Sequence, residues 1–275
     1  MKFWKMHGLG NDYIVIDDRK ELIKNPEEKA RKLCRRRFSI GADGLILLQN
    51  PVYNDADLKM RIFNKDGSEA EMCGNGIRCA AKFCYEAGIL KKEELNIETK
   101  AGLRKVWLKI EDKKVKEVKV NMGKPIFERK LIPVLGEGTF INEEIKVGDN
   151  VFQATCVSMG NPHCVIFVNN LEKFPVRELG PKIETYPLFP NRMNVEFVEV
   201  LNKNVLKVRV WERGCGETLA CGTGACASAV ISNLLNKTDK EVLVKLKGGG
   251  LKIKVNNEVL MSGPVAKVFE GKIEL

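Results

Sequence analysis

MRIFNKDGSEAEMCGNGIRCAAKF, residues 60–83, returns as VRVWERGCGETLACGTGACASAVI at residues 208–231. Laid over each other without a gap, Arg61 meets Arg209, Phe63 meets Trp211, Glu69 meets Glu217 and Cys73 meets Cys221. Gly74 and Gly76 then meet Gly222 and Gly224. Each copy reads as a short apolar strand, a polar turn, and a Cys-Gly step that opens a helix. A second register runs alongside: GLGNDYIVID at 8–17 is echoed by SMGNPHCVIFV at 158–168, with Gly10 on Gly160 and Asn11 on Asn161. Asn11 precedes Cys73 by 62 positions and Asn161 precedes Cys221 by 60. Two registers at nearly equal spacing mark an internal duplication, with one cysteine from each half at a shared site.

Outward from these blocks the chain alternates short strands with a few helices. Asn25-Pro26 followed by EEKARKLCRRRF has the start signal and period of a helix. LILLQ is a short buried strand, and GNGIRCAAKFCYEAGI carries helical spacing up to a cap at Gly88. From 94 to 157 strand follows strand, KLIPVL among them, punctuated by Gly, Pro and Asn. A helix is expected over 175–185, with Gly180-Pro181 as its weak point. The fold class is therefore α+β: two pseudo-symmetric domains, each a curved, mostly antiparallel sheet or barrel around a central helix, with the active site in the cleft between them. The expected division is residues 1–120, with a boundary in 120–150, and residues 150–275, a few of whose last strands pack on the first half.

Length and composition suit two globular domains of ordinary size. No apolar run is long enough to span a bilayer, and MKFWKMHGLGND lacks the apolar core of a signal peptide, which places the protein in the cytoplasm. The net charge of +10 raises a nucleic-acid reading. The lysines, however, are spread along the chain and alternate with Glu or apolar residues, as on solvated strand faces. Nine cysteines without a secretion signal read as thiols. With no CxxC pair and only His7 and His163, a structural zinc site does not fit, and no metal is expected.

Cys73 and Cys221 each precede a Gly-X-Gly at a helix start. Unpaired backbone N–H groups and the positive end of the helix dipole lie there, and both stabilise a thiolate. The glycines also let the backbone hold a carboxylate. Two such thiols suit inversion of a stereocentre, which needs a base on one face of the carbon and an acid on the other. Cys34, Cys79, Cys84, Cys156, Cys164 and Cys226 fall on apolar patterns and read as core, and Cys215 lies in a turn.

At these residues the sequence closely resembles the diaminopimelate epimerase family along essentially its whole length. HGLGNDYIVID, GADG, the block from FN through MCGNGIRC, GNPHCVIFV, NRMNVEFV and WERGCGET-x-ACGTGACAS carry the likeness. The resemblance implies cofactor-independent epimerisation of LL- to meso-diaminopimelate, without pyridoxal phosphate, by Cys73 and Cys221 as acid and base. It implies that His163 and Glu212 tune the cysteines. It also implies substrate contacts at Asn11, Asn64, Asn161, Asn194, Glu212 and Arg213, and at the backbone of Gly74, Asn75, Gly222 and Thr223. Arg213 and the asparagines would hold the distal carboxylate. The expected partners are the small-molecule substrate and, by family likeness, a second copy in a homodimer, with no nucleic acid and no membrane. One departure stands out: Gly44 replaces a Gln carried by some relatives. The rival readings are another paired-cysteine racemase of the proline racemase type and a thiol–disulfide oxidoreductase.

Overall fold

The computed structural model describes residues 1–274. Eighteen strands and four α-helices divide into two compact units, Met1–Asn121 with Ser262–Leu275, and Met122–Met261. The first unit contains β1 (Lys2–Gly8), β2 (Asn11–Asp17), α1 (Pro26–Leu33), β3 (Gly44–Gln49), β4 (Leu58–Asn64), β5 (Glu69–Ala70), α2 (Gly74–Glu86), β6 (Glu94–Thr99), β7 (Gly102–Glu111) and β8 (Lys114–Asn121). The chain continues through β9 (Glu143–Val147), β10 (Asn150–Ser158), β11 (Pro162–Phe167), α3 (Val176–Glu184), β12 (Asn194–Asn202), β13 (Val205–Glu212), β14 (Gly216–Thr218), α4 (Gly222–Leu234), β15 (Glu241–Leu246) and β16 (Gly249–Val255). It closes with β17 (Val259–Pro264) and β18 (Ala266–Lys272).

The duplication governs strand pairing. In the first unit β1 pairs antiparallel with β2, β2 parallel with β3, β3 antiparallel with β4, and β4 parallel with β6. The second unit repeats this order with β10, β11, β12, β13 and β15. The parallel pairing of β2 with β3 explains the apolar runs Tyr13–Ile16 and Leu45–Leu48, which are buried throughout, because a strand covered on both faces loses the usual alternation. β18 pairs with β1, and β9 pairs with β10. The strand added to the edge of the first unit thus comes from the far end of the chain.

Each unit wraps its sheet around one helix. α2 packs against β1, β2, β3, β4, β7 and β8, and α4 against β10, β11, β12, β13, β15 and β16. A helix surrounded in this way is buried on every side, and Gly74 to Cys84 are all buried. Ala225, Ala227 and Ala229 keep α4 slender, so strands approach it closely. Cys34, Cys79, Cys84, Cys156, Cys164 and Cys226 are buried free thiols, and Cys215 is exposed.

Local structure departs from the sequence reading in two places, at the end of α1 and at KLIPVL, whereas the helix expected over 175–185 forms as α3. α1 stops at Leu33, because the carbonyls of Leu33 and Cys34 are taken by the N–H groups of Gly41 and Ala42 as the chain turns back. The expected strand KLIPVL instead begins with a 3-10 turn at Arg129–Leu131. Pro133 has no N–H for a ladder, and the Arg129 guanidinium gathers the carbonyls of Leu135 and Thr139 at 2.8 and 2.9 Å, which curls the segment. Gly180-Pro181 does not end α3. A Cβ at Gly180 would lie 2.6 Å from the Trp211 ring, so glycine lets the helix pack on that indole.

Candidate active site

In the first unit Cys73 is the N-cap of α2, in an extended conformation, and its sulfur accepts from the Gly76 N–H at 3.5 Å. The sulfur therefore takes the place of the Ser or Asp oxygen that ordinarily caps a helix. Tyr13 Oη lies 3.0 Å from Cys73 Sγ and also donates to Asn11 Oδ1. Asn75 Nδ2 reaches the same oxygen at 3.2 Å, and Asn11 Nδ2 donates to Asp43 Oδ2 at 3.0 Å. The buried Arg78 ties this turn down through the Gly74 carbonyl and Asn75 Oδ1, both at 2.9 Å. Burial and the neighbouring Cys73 sulfur push the Tyr13 phenol well above its ordinary value, so it remains a proton donor.

Asn64 stands across β3 from this group. The register runs Tyr13, Gly44, Asn64, and the Asn64 amide donates to Ser68 Oγ at 3.0 Å. Gly44 accounts for itself here. A Cβ at this position would lie 2.8 Å from the Phe63 carbonyl oxygen and 3.1 Å from the Tyr13 ring.

In the second unit Cys221 caps α4 in the same way, accepting from the Gly224 N–H at 3.4 Å, with Thr223 Oγ1 also at 3.4 Å. Unlike Cys73, it is buried. Burial raises its thiol well above the ordinary value, and the carboxyls of Glu212 and Glu196 add to the effect. Glu212, at the end of β13, accepts from Thr218 Oγ1 at 2.5 Å. Burial raises its carboxyl too, against the Thr218 hydrogen bond, which favours the ionised form.

His163 lies on β11 opposite Asn194 on β12. Its Nε2 is 2.9 Å from Asn161 Oδ1, and its Nδ1 is 2.7 Å from Glu196 Oε1. Asn194 Nδ2 donates to the Pro162 carbonyl at 2.7 Å, and Asn194 Oδ1 accepts the Arg213 N–H at 2.9 Å. The exposed Arg213 guanidinium donates from Nη1 to the Asn191 carbonyl at 3.1 Å. The second unit thus gathers Asn161, His163, Asn194, Glu212, Arg213, Cys221, Gly222 and Thr223 onto adjacent strand ends and one helix start.

Three residues in these clusters escape a reading of the sequence alone: Tyr13, Asp43 and Glu196. A signal for the first was present, because placing Asn11 on Asn161 places Tyr13 on His163. Glu196 showed only as a charge inside the otherwise apolar start of MNVEFVEV. Among the described residues no group of three or more His, Cys, Asp or Glu is disposed to hold a metal ion. No helix among them is long and apolar enough to cross a membrane.

The sequence pattern of the diaminopimelate epimerase family matches residues 3–128 and 155–268. Diaminopimelate epimerase from Acetivibrio thermocellus is 50% identical over 279 residues, covering 100% of this chain and 99% of the relative. The enzyme of that name from Methanococcus maripaludis is 50% identical over 280 residues, with 100% of both chains covered. Among solved structures, a probable proline racemase from Agrobacterium radiobacter superposes with a TM-score of 0.74 at 15% identity, covering 100% of this chain and 93% of its own. A phenazine biosynthesis protein of the PhzF family from Bacillus anthracis gives 0.73 at 18%, covering 100% and 99%. At such identities the structures share the fold. Identity near one half over the full length goes further, and the chain belongs to the diaminopimelate epimerase family.

Proposed function

We propose that the chain epimerises LL-diaminopimelate to its meso form through Cys73 and Cys221. Family membership carries the reaction, an isomerisation at an α-carbon. The observation that carries the residue assignment is the matched pair of sulfur caps. In both units a cysteine opens the central helix and its sulfur accepts the backbone N–H three residues on.

One sulfur, as thiolate, takes the α-proton: the C–H bond breaks, an S–H bond forms, and the electron pair stays on the α-carbon and its carboxylate. The other, as thiol, returns a proton to the opposite face. Its S–H bond breaks as the new C–H bond forms, and the thiolate moves to the second sulfur. In the reverse direction the roles exchange. Burial and two neighbouring carboxyls keep Cys221 protonated at rest. Glu212, whose carboxyl acts on that thiol, is the group we assign to share the proton.

The N–H groups at Gly74–Asn75 and Gly222–Thr223 suit a carboxylate and the negative charge that develops on it. Asn11, Asn64, Asn161 and Asn194 supply amides of either polarity, and the planar Arg213 fork suits the distal carboxylate. A homodimer in the cytoplasm belongs to the same reading. Sedimentation of the purified protein checks the assembly, and a monomer at micromolar concentration would refute that part.

The deciding experiment incubates the reduced protein with LL-diaminopimelate in D₂O without pyridoxal phosphate. Deuterium at the α-carbon together with meso product is expected. Cys73→Ala and Cys221→Ala should each lower turnover by roughly 10²–10⁴-fold, the usual contribution of one acid or base. A folded variant with unaltered turnover removes that cysteine from the mechanism.

A further inference from the structure

Glu196 occupies a position where a carboxyl is costly. It lies on β12 between Val195 and Phe197, and like His163 it is 0% exposed. Parallel register places Asn194 beside His163 and Glu196 beside Val165, so all four side chains share one face of the sheet. Glu196 Oε1 meets His163 Nδ1 at 2.7 Å. Its other oxygen, Oε2, is buried with no hydrogen-bond partner among the described residues. A carboxyl buried with a single partner weakens folding unless that one bond matters.

Two further observations tie the pair to the site. A Cβ at Gly224 would lie 2.6 Å from Glu196 Oε1, and Gly224 is the residue whose N–H meets the Cys221 sulfur. The carboxyl is therefore packed against the turn that holds the thiol. The first unit repeats this geometry with different chemistry. There Tyr13 pairs with Gly44 and Val15 with Ile46 in the same register, and a Cβ at Gly76 would meet Ile46 Cδ1 at 3.3 Å. Ile46 thus takes the place of Glu196. The phenol of Tyr13 meets Asn11 and Cys73 with its one hydroxyl. An imidazole has a second ring nitrogen to satisfy, and the copy with His is the copy with Glu.

We propose that Glu196 is a positioning residue for His163. Its carboxylate accepts the Nδ1 proton, holds the ring in that tautomer, and leaves the Nε2 lone pair toward Asn161. The Asn161 amide, which a half-turn converts from acceptor to donor, gives Nδ2–H to that lone pair. Glu196 thereby sets which nitrogen of His163 can take up a proton. Its importance for turnover rests on the two-cysteine reading above, whereas the tautomer itself does not.

The chain has only two histidines, His7 and His163, so ¹⁵N NMR of histidine-labelled protein assigns the second by its loss in His163→Gln. Near neutral pH the unaltered protein should show a protonated Nδ1 and a bare Nε2. Glu196→Leu should mix the tautomers and lower kcat about tenfold or more, as loss of a histidine-orienting partner does. KM should stay within about twofold, because the lost interaction is not one made to the substrate. Glu196→Gln, which still accepts at Nδ1, should recover part of the loss. An Nε2–H or doubly protonated ring in the unaltered protein overturns the proposal, as does a folded Glu196→Leu with unchanged kcat. If Glu196→Leu does not fold, the spectrum of the unaltered protein decides. If the reaction is misassigned, no form turns over diaminopimelate, yet the ring spectrum still reports the tautomer.

Discussion

The Tyr13 hydroxyl stands 3.0 Å from the sulfur of Cys73, at the strand position that His163 holds in the second unit. The two thiols therefore have different neighbours. Cys73 has a phenol and a backbone N–H, whereas Cys221 has a backbone N–H, the Thr223 hydroxyl and nearby carboxyls. Equal folds around the two sulfurs do not make them chemically equal.

Tyr13→Phe keeps the ring and removes the hydroxyl, whose proton turns from Asn11 to the sulfur when Cys73 is the thiolate. A hydrogen bond to a charged group contributes about 1.5–3 kcal/mol, so kcat/KM should fall at least about tenfold, each 1.4 kcal/mol being a factor of ten. The melting temperature should change little, because the ring still fills its site. Steady-state kinetics with a parallel thermal melt separates the two effects, and an unchanged kcat/KM shows that the phenol has no part in turnover.

Arg213→Ala tests the distal carboxylate. Truncating one partner of a desolvated charge pair costs roughly 2 kcal/mol or more, which is about 30-fold in affinity. The loss should appear in KM, with kcat nearly unchanged, because the distal group is held equally in ground and transition states. A KM unaltered by the substitution removes Arg213 from substrate binding.

Glu217 joins β14 to β13 through Arg209, as Glu69 joins β5 to β4 through Arg61. Burial alone raises its carboxyl, but Arg209, Lys247 and Arg177 outweigh burial and bring it from 4.5 down to about 2. A carboxylate depressed on folding stabilises the protein above its unfolded value and loses that contribution as pH falls through the folded one. Arg177 and Lys247 reach Glu217 from solvent, where screening weakens them, so the depression stabilises the protein by about 1 kcal/mol near neutral pH. Glu217→Gln should therefore be less stable by about that amount at pH 7, and the gap should close between pH 4.5 and about 2. Urea unfolding across that range measures it, and a gap that persists at pH 2 contradicts the assignment.

The helical spacing of GNGIRCAAKFCYEAGI, the helix starts at Gly74 and Gly222, and the buried cysteines are all legible in the sequence. Each depends on neighbours within a turn or two of chain. The repeated blocks likewise predicted two similar units, since a duplicated pattern builds a duplicated core. The failures were also local in cause. KLIPVL has the composition of a strand, but Pro133 and the carbonyl-gathering Arg129 turned it, and no periodicity reports where a guanidinium will reach.

By itself the sequence determined the family, the α+β class, and which cysteines open the two central helices, because those features are carried by residues close together in the chain. Only the tertiary structure decided that β18 pairs with β1 and β9 with β10, since strands with similar patterns compete for the same edge until the whole sheet closes. It also decided the partners of the two thiols. Tyr13 reaches Cys73 across 60 residues, and Glu196 reaches His163 across 33. Such contacts are created by parallel strand register and by a glycine on the facing helix, neither of which a single stretch of chain contains.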